Sequence, residues 1–94
     1  ADIYSLGATL YECLCGQPPF DEVGVWKFVE AINEKPAPDL NERVPNLNPA
    51  VWPVIQKSLA KRPEERQQTP TEFRQELDRL LNLVTTERQK KPAN

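Results

Sequence analysis

Apolar residues recur along this chain in four blocks of helical spacing, set apart by polar, proline-bearing stretches. In the first block, residues 2–15, Ile3, Leu6, Leu10 and Leu14 form one stripe, and Tyr4, Ala8, Tyr11 and Cys15 form another. The helix this predicts is apolar nearly all round, the pattern of a buried helix. Asp2 is placed to cap its start and Gly16 to stop it. Gly7 in its interior costs roughly 0.5–1 kcal/mol relative to alanine, which points to another backbone or ring coming close. Gln17-Pro18-Pro19-Phe20 then breaks the helix, because each proline lacks a donor and restricts the residue before it. A second helix is expected to open at Asp21 and run to about Asn33. Its stripe is Val25, Phe28, Val29 and Ile32, with Trp26 off it, towards solvent or a partner.

Residues 35–48 read as a proline-punctuated loop. Asn48-Pro49 is a start signal, an amide cap followed by proline at the first helical position. The helix it opens carries Val51, Val54, Ile55 and Leu59. Pro53 removes a bond that the Pro49 carbonyl would accept, so an irregular first turn is expected. Residues 61–68 form a charged connector holding Pro63 and Arg66. Thr69-Pro70-Thr71-Glu72 is a capping box, and Phe73, Leu77, Leu80, Leu81 and Val84 give the fourth helix its apolar face. The fold class is all-α, with residues 1–84 as the folded segment and the polar stretch 85–94 as a tail or linker.

Composition narrows the chemistry. No histidine occurs, which removes Ser-His-Asp triads, Cys-His pairs, histidine bases and histidine-liganded metals together. Net charge is −2 over 94 residues, so the basic footprint of a nucleic-acid binder is missing. The charge is uneven, with eight acids and three bases in residues 1–47 against six acids and nine bases in 48–94. No apolar run approaches the roughly 18 residues of a membrane span. Methionine is absent, so Ala1 is not a translation start and the chain is expected to be a piece of something longer. Cys13 and Cys15 lie about 200° apart around a helix and cannot share a metal. They read as two small buried thiols in a reducing cytosol. The adjacent acids Asp21-Glu22 and Glu64-Glu65 read as helix-dipole and solubility residues, and Lys61-Arg62 and Lys90-Lys91 as solvated faces. Gly7, Gly16 and Gly24 make no phosphate-cradling loop.

Taken in order, the blocks carry a family likeness. Asp2-Ile3-Tyr4-Ser5-Leu6-Gly7, then Leu10-Tyr11-Glu12, then Gly16-Gln17-Pro18-Pro19-Phe20 resembles the D-x-[WY]-S-L-G…L-Y-E…G-x-P-P-F stretch of protein kinases. Leu59-Ala60-Lys61-Arg62-Pro63-Glu64-Glu65-Arg66 with Thr69 resembles the L-x-K-D-P-x-x-R-x-T block of the same family, and the wording is most similar to bacterial Ser/Thr kinases of eukaryotic type. The resemblance implies that the four helices are helices F to I of the kinase C-terminal lobe, an incomplete protein-kinase-like fold. It also implies a cytoplasmic parent that transfers the γ-phosphoryl of ATP, with magnesium, to Ser/Thr hydroxyls of protein substrates. The Gly-rich loop, strand lysine, H-R-D, D-F-G and A-P-E motifs of phosphoryl transfer do not occur here. No catalytic residue, cofactor or metal is therefore assigned to this segment.

Three residues inherit supporting roles from the likeness. Asp2 matches an acid that binds backbone amides of the catalytic loop, Gly7 permits close packing beneath the activation segment, and Arg66 pairs with the glutamate of the absent A-P-E motif. Glu12 and Trp26 are candidate substrate or partner contacts. Arg62 where the family has Asp, Pro53 within a helix, and the small Thr9 and Cys13 at spine-supporting positions are departures. They keep an alternative open: a pseudokinase or helical interaction module docking through helix G. Two physical expectations follow. Arg66, without its glutamate, is expected to be nearly dispensable in this chain. The first helix is expected to leave an apolar patch on residues 3–14 that favours self-association, its cover being the rest of the kinase domain.

Overall fold

The Asp2 carboxylate accepts a hydrogen bond from Tyr4 N at 3.0 Å and starts helix α1, Ile3–Cys15. Gly16 closes it, its N–H donating to Glu12 O at 2.7 Å. The computed structural model describes residues 2–21 and 23–90, with side chains described as far as Leu83. After α1 come α2 (Val25–Glu34), the short α3 (Leu40–Arg43), α4 (Val51–Ser58), a 3₁₀ turn at Pro63–Glu65, and α5 (Pro70–Lys90). No strand occurs among the described residues. The four periodic blocks are all helices, and the fold is all-α.

Local chemistry explains most boundaries and corrects several expectations. α2 begins at Val25 rather than Asp21, because Gly24 at φ +96° turns the chain in a conformation other residues avoid; Glu22 lies outside the described residues. The loop at 35–48 holds one helical turn, α3, capped by Asp39, whose carboxylate accepts from Asn41 N at 2.8 Å. Asn48 Oδ1 accepts from Ala50 N at 2.9 Å, yet Pro49 and Ala50 remain a turn and α4 starts at Val51. Pro53 thus falls in the first turn of α4, where its missing N–H has no intrahelical acceptor to lose. At α5, Thr69 Oγ1 accepts from Glu72 N at 3.0 Å, and the Glu72 carboxylate reaches back to Gln68 N at 2.5 Å. The capping box forms with its return bond shifted one residue outward. α5 also continues past Val84 to Lys90, into the stretch that composition assigns to a tail; residues 91–94 lie outside the described residues.

The core joins α1, α3 and α4 through Tyr11, Leu40, Trp52, Ile55 and Leu59. The Tyr11 and Trp52 rings meet edge to face, centroids 5.9 Å apart at 67°, the arrangement the ring quadrupoles favour. Tyr11 Oη donates to Pro38 O at 2.8 Å, and the Arg43 guanidinium stands 5.5 Å from the Tyr11 ring centre. The loop before α3 is thereby tied to α1. At the start of α5, Phe73 is completely buried. Beside it Gln67, also buried, donates from Nε2 to Val54 O at 3.0 Å.

Gly7 sits where α1 crosses α4. A Cβ added there would lie 2.8 Å from Ser58 Cβ and closer still to Ser58 Oγ. The close neighbour that a mid-helix glycine announces is therefore a serine of this same chain. Ser58 is fully buried and donates its hydroxyl to Ile55 O at 2.6 Å, so it has little room to retreat.

Helix α2 is less covered than its pattern suggests, and α1 carries the exposed apolar patch expected of it. Only Gly7 and Tyr11 of α1 are buried, while Leu6 is 37% and Leu14 41% exposed. One side of this all-round apolar helix packs against α4 and α3, and Leu6 and Leu14 stay uncovered. In α2 only Ala31 is buried, and Val25, Phe28 and Val29 of the expected core stripe are exposed. The two cysteines are not a buried pair. Cys13 is exposed, and Cys15 is partly buried with its thiol donating to Gln17 O at 3.2 Å. Their spacing puts them on different faces of a helix that is covered on one side.

Two expected outcomes follow. Gly7→Ala should destabilise the chain by about 1–3 kcal/mol in urea unfolding, the usual range for overpacking, and Ser58→Gly in the same background should return part of that loss. Equal stability of Gly7→Ala and the unmodified chain would show that α1 and α4 can part freely. Sedimentation of the isolated chain should show self-association that grows with concentration, with binding of a hydrophobic dye. A sharply melting monomer that binds no dye would contradict this.

Candidate functional site

The site with the most inherited chemistry is built where the turn after α4 meets the start of α1. Pro63 fixes the backbone of the 3₁₀ turn, and Arg66 N donates to Pro63 O at 3.1 Å to close it. This aims the Arg66 side chain back at the chain it has just left. Its Nε donates to Ala60 O at 2.8 Å and its Nη2 to Lys61 O at 3.4 Å. The guanidinium also lies 5.0 Å from the centre of the Tyr4 ring, in the range of a cation–π contact. A planar guanidinium serves here because it can fork to two carbonyls and stack on a ring together.

Arg66 and Asp2 line one cleft of about 210 Å³, together with Ile3, Pro63, Gln67 and Gln68. The fold thus brings together two of the three supporting residues expected from the sequence, while Gly7 lies further along α1 against Ser58. Gln67, another residue of this cleft, has a buried side-chain oxygen without a hydrogen-bond partner. Burial pushes the Tyr4 phenol above its ordinary pKa; Arg66 opposes that rise and Asp2 adds to it. The Tyr11 phenol is raised by burial as well, against the pull of Arg43.

The other candidates lie elsewhere. Glu12 is exposed and shares an open cleft of about 340 Å³ with Thr9, Cys13 and Gly16. Thr9 spends its hydroxyl on Ser5 O at 2.9 Å. Trp26 is 84% exposed on α2, as its place off the apolar stripe predicts. Among the described residues, no group of three or more His, Cys, Asp or Glu is placed to hold a metal ion. No helix there is long and apolar enough to cross a membrane.

Sequence reasoning missed three participants. Lys61 was expected on a solvated face, but it is partly buried with its ammonium against α2. Tyr4 reads as packing in the second stripe of α1, and Gln67 carries no signal in the sequence. Each acquires its role from a residue distant in sequence, so no local pattern marks it. The expectation that Arg66 is dispensable here is also corrected. It lacks the family's glutamate but holds two carbonyls and a ring within this chain.

Arg66→Ala should therefore destabilise the isolated chain by about 1.5–3 kcal/mol, the range for hydrogen bonds to a charged group. Arg66→Lys should recover only part, since an ammonium is a point charge without the planar fork that bonds carbonyls and stacks on the Tyr4 ring together. Urea midpoints measure both, and an alanine variant within about 0.5 kcal/mol of the unmodified chain would show these contacts to be idle.

No protein-family model matches the chain. Individual proteins do. The chain is 41% identical over 83 residues, 87% of its length, to the serine/threonine-protein kinase PknB of Mycobacterium tuberculosis. It is 40% identical over 81 residues, 85% of its length, to PknB of Mycolicibacterium smegmatis. Identity to the serine/threonine-protein kinase PknF of Mycobacterium tuberculosis is 36% over 81 residues, 86% of the chain. The matched region spans 13% of the PknB proteins and 17% of PknF. With its ordered kinase-like blocks and its all-helical fold, the chain is homologous to the bacterial Ser/Thr protein kinases of eukaryotic type and matches a segment of their C-terminal lobe.

Proposed function

We propose that this chain is scaffold for phosphoryl transfer, the C-terminal part of the large lobe of a kinase whose complete form moves the γ-phosphoryl of ATP to Ser/Thr hydroxyls of proteins. The observation that carries this reading is the shared cleft of Asp2 and Arg66, in a chain about 40% identical to Ser/Thr kinases over most of its length. In this reading residues 1–84 belong to the kinase domain and 85–94 lead away from it. ATP and magnesium belong to the complete protein, which works in the cytoplasm where ATP is available. The described residues offer neither a glycine-rich cradle nor a carboxylate cluster for them.

The work of this segment is positioning. Asp2 already accepts the Tyr4 amide at 3.0 Å, and a carboxylate has lone pairs for further donors. An ionised acceptor at the start of a rigid helix suits the task of fixing the backbone of a catalytic loop, because charge-assisted bonds are short and directional. Arg66 holds α4, α1 and the intervening turn together, and in the complete lobe it would also meet the glutamate of A-P-E. Gly7 keeps α1 low against α4, Glu12 faces outward where a substrate side chain can reach it, and Trp26 offers a docking aromatic.

A second reading has one observation in its favour. The exposed Trp26, with Val25, Phe28 and Val29 beside it, makes α2 an apolar surface of the kind that partners cover. A pseudokinase or a helical interaction module would use that surface without chemistry.

Phosphoryl transfer separates the two. With radiolabelled ATP, magnesium and a general protein substrate, the complete protein carrying this segment should label the substrate, and these 94 residues alone should not. Asp2→Ala in the complete protein should lower kcat by about 10²-fold, the scale of a small misplacement of catalytic groups. Activity of the segment alone would overturn the scaffold role, and an inert complete protein would favour the interaction module.

A further inference from the structure

Helix α2 is seated by one end. Of its residues only Ala31, near the C-terminus, is buried, and the N-terminal half carrying Val25 and Trp26 stands in solvent. At that C-terminal end the Lys61 ammonium donates to Ile32 O at 2.6 Å and lies 3.4 Å from Ala31 O. Ala31 O already accepts from Lys35 N at 3.0 Å, but Ile32 O, four residues before Pro36, has no backbone N–H to receive, and both carbonyls lie at the negative end of the helix dipole. A cation placed there is both a hydrogen-bond donor and a matching charge.

The lysine is itself held from two sides. Its ammonium stands 4.6 Å from the centre of the buried Phe20 ring, which belongs to the proline-rich segment leading into α2. Its own carbonyl, and that of Ala60, accept from Arg66. One side chain therefore connects the end of α4, the Pro-Pro-Phe segment and the end of α2. Burial lowers the Lys61 pKa from its ordinary value, and the nearby Arg66 adds to that. The ammonium remains the form suited to two carbonyls and a ring face.

We propose that Lys61 is a positioning residue that pins α2 to the body of the fold. Removing its charge frees α2 as a unit while the α1–α4 core stays packed. The inference stands apart from the kinase reading, since it rests on contacts within this chain. Helices with few buried apolar contacts open as local units, whereas core helices open only with the whole structure. Lys61 thus controls how the exposed face around Trp26 is presented, and any change that neutralises this one amine acts on that face from the far end of the helix.

Hydrogen–deuterium exchange on this chain tests it. Lys61→Met keeps the aliphatic stem and removes charge and donors. The amides of residues 28–35 should then exchange about tenfold or more faster, and those of α1 and α4 should stay within about twofold. Lys61→Arg, which keeps charge and donors, should hold α2 amides within about threefold of the unmodified chain. Unchanged α2 exchange in Lys61→Met would overturn the proposal. So would acceleration spread equally over α1 and α4, or an arginine variant that releases α2 as fully as methionine.

Discussion

The crossing of α1 on α4 at Gly7 and Ser58 is the contact on which the rest of the structure depends. A hydrogen atom in place of a side chain lets the two helices approach until Ser58 fills the space a Cβ would take. One helical turn further along α1, Tyr11 meets Trp52 edge to face, and its hydroxyl reaches Pro38 O. The depth of the crossing sets that ring contact, and the ring contact in turn draws Leu40 and α3 over the core. Close packing of this kind tolerates little displacement.

Around the crossing, cations organise the periphery. Arg66, Lys61 and Arg43 each donate to backbone carbonyls and each stands over an aromatic ring, Tyr4, Phe20 and Tyr11 respectively. A chain of this size buries a modest share of its surface. Its turns are proline-rich and supply carbonyls without matching donors, since proline has no N–H. Long cationic side chains lying along apolar surface answer both needs, covering rings with their stems and satisfying carbonyls with their tips.

The uncovered faces belong to the same logic. α1 is apolar around its circumference but meets neighbours on one side, and α2 shows its apolar stripe to solvent. The chain spans 13% of its PknB relatives, and in the reading proposed above the rest of a kinase lobe covers these surfaces. What the segment contributes to phosphoryl transfer, in the same reading, is a rigid foundation: a capping carboxylate and a fixed guanidinium lining one cleft.

The amino-acid sequence determined the helices, because periodicity and capping are local. Asp2 and Thr69 cap their helices as their positions predict, with the Glu72 return bond one residue out, whereas Asn48 bonds Ala50 N in the turn ahead of α4. The family likeness was also legible, since it rests on short ordered blocks. Glycine at position 7 signalled a close approach, but only the fold named Ser58 as the neighbour. The start of α2 was misplaced because the left-handed turn at Gly24 outweighed the acid at Asp21. α3 was missed because one turn of helix carries too few residues to show a period. Burial is the quantity that tertiary structure alone decided. An apolar stripe states what a helix would bury, not whether a partner is present, so the stripe of α2 reads as core and is mostly surface, whereas the uncovered patch expected on α1 is there at Leu6 and Leu14. The tasks of Lys61, Arg66 and Gln67 were hidden for a related reason: their acceptors are backbone carbonyls, which every residue has and no sequence distinguishes until the chain folds.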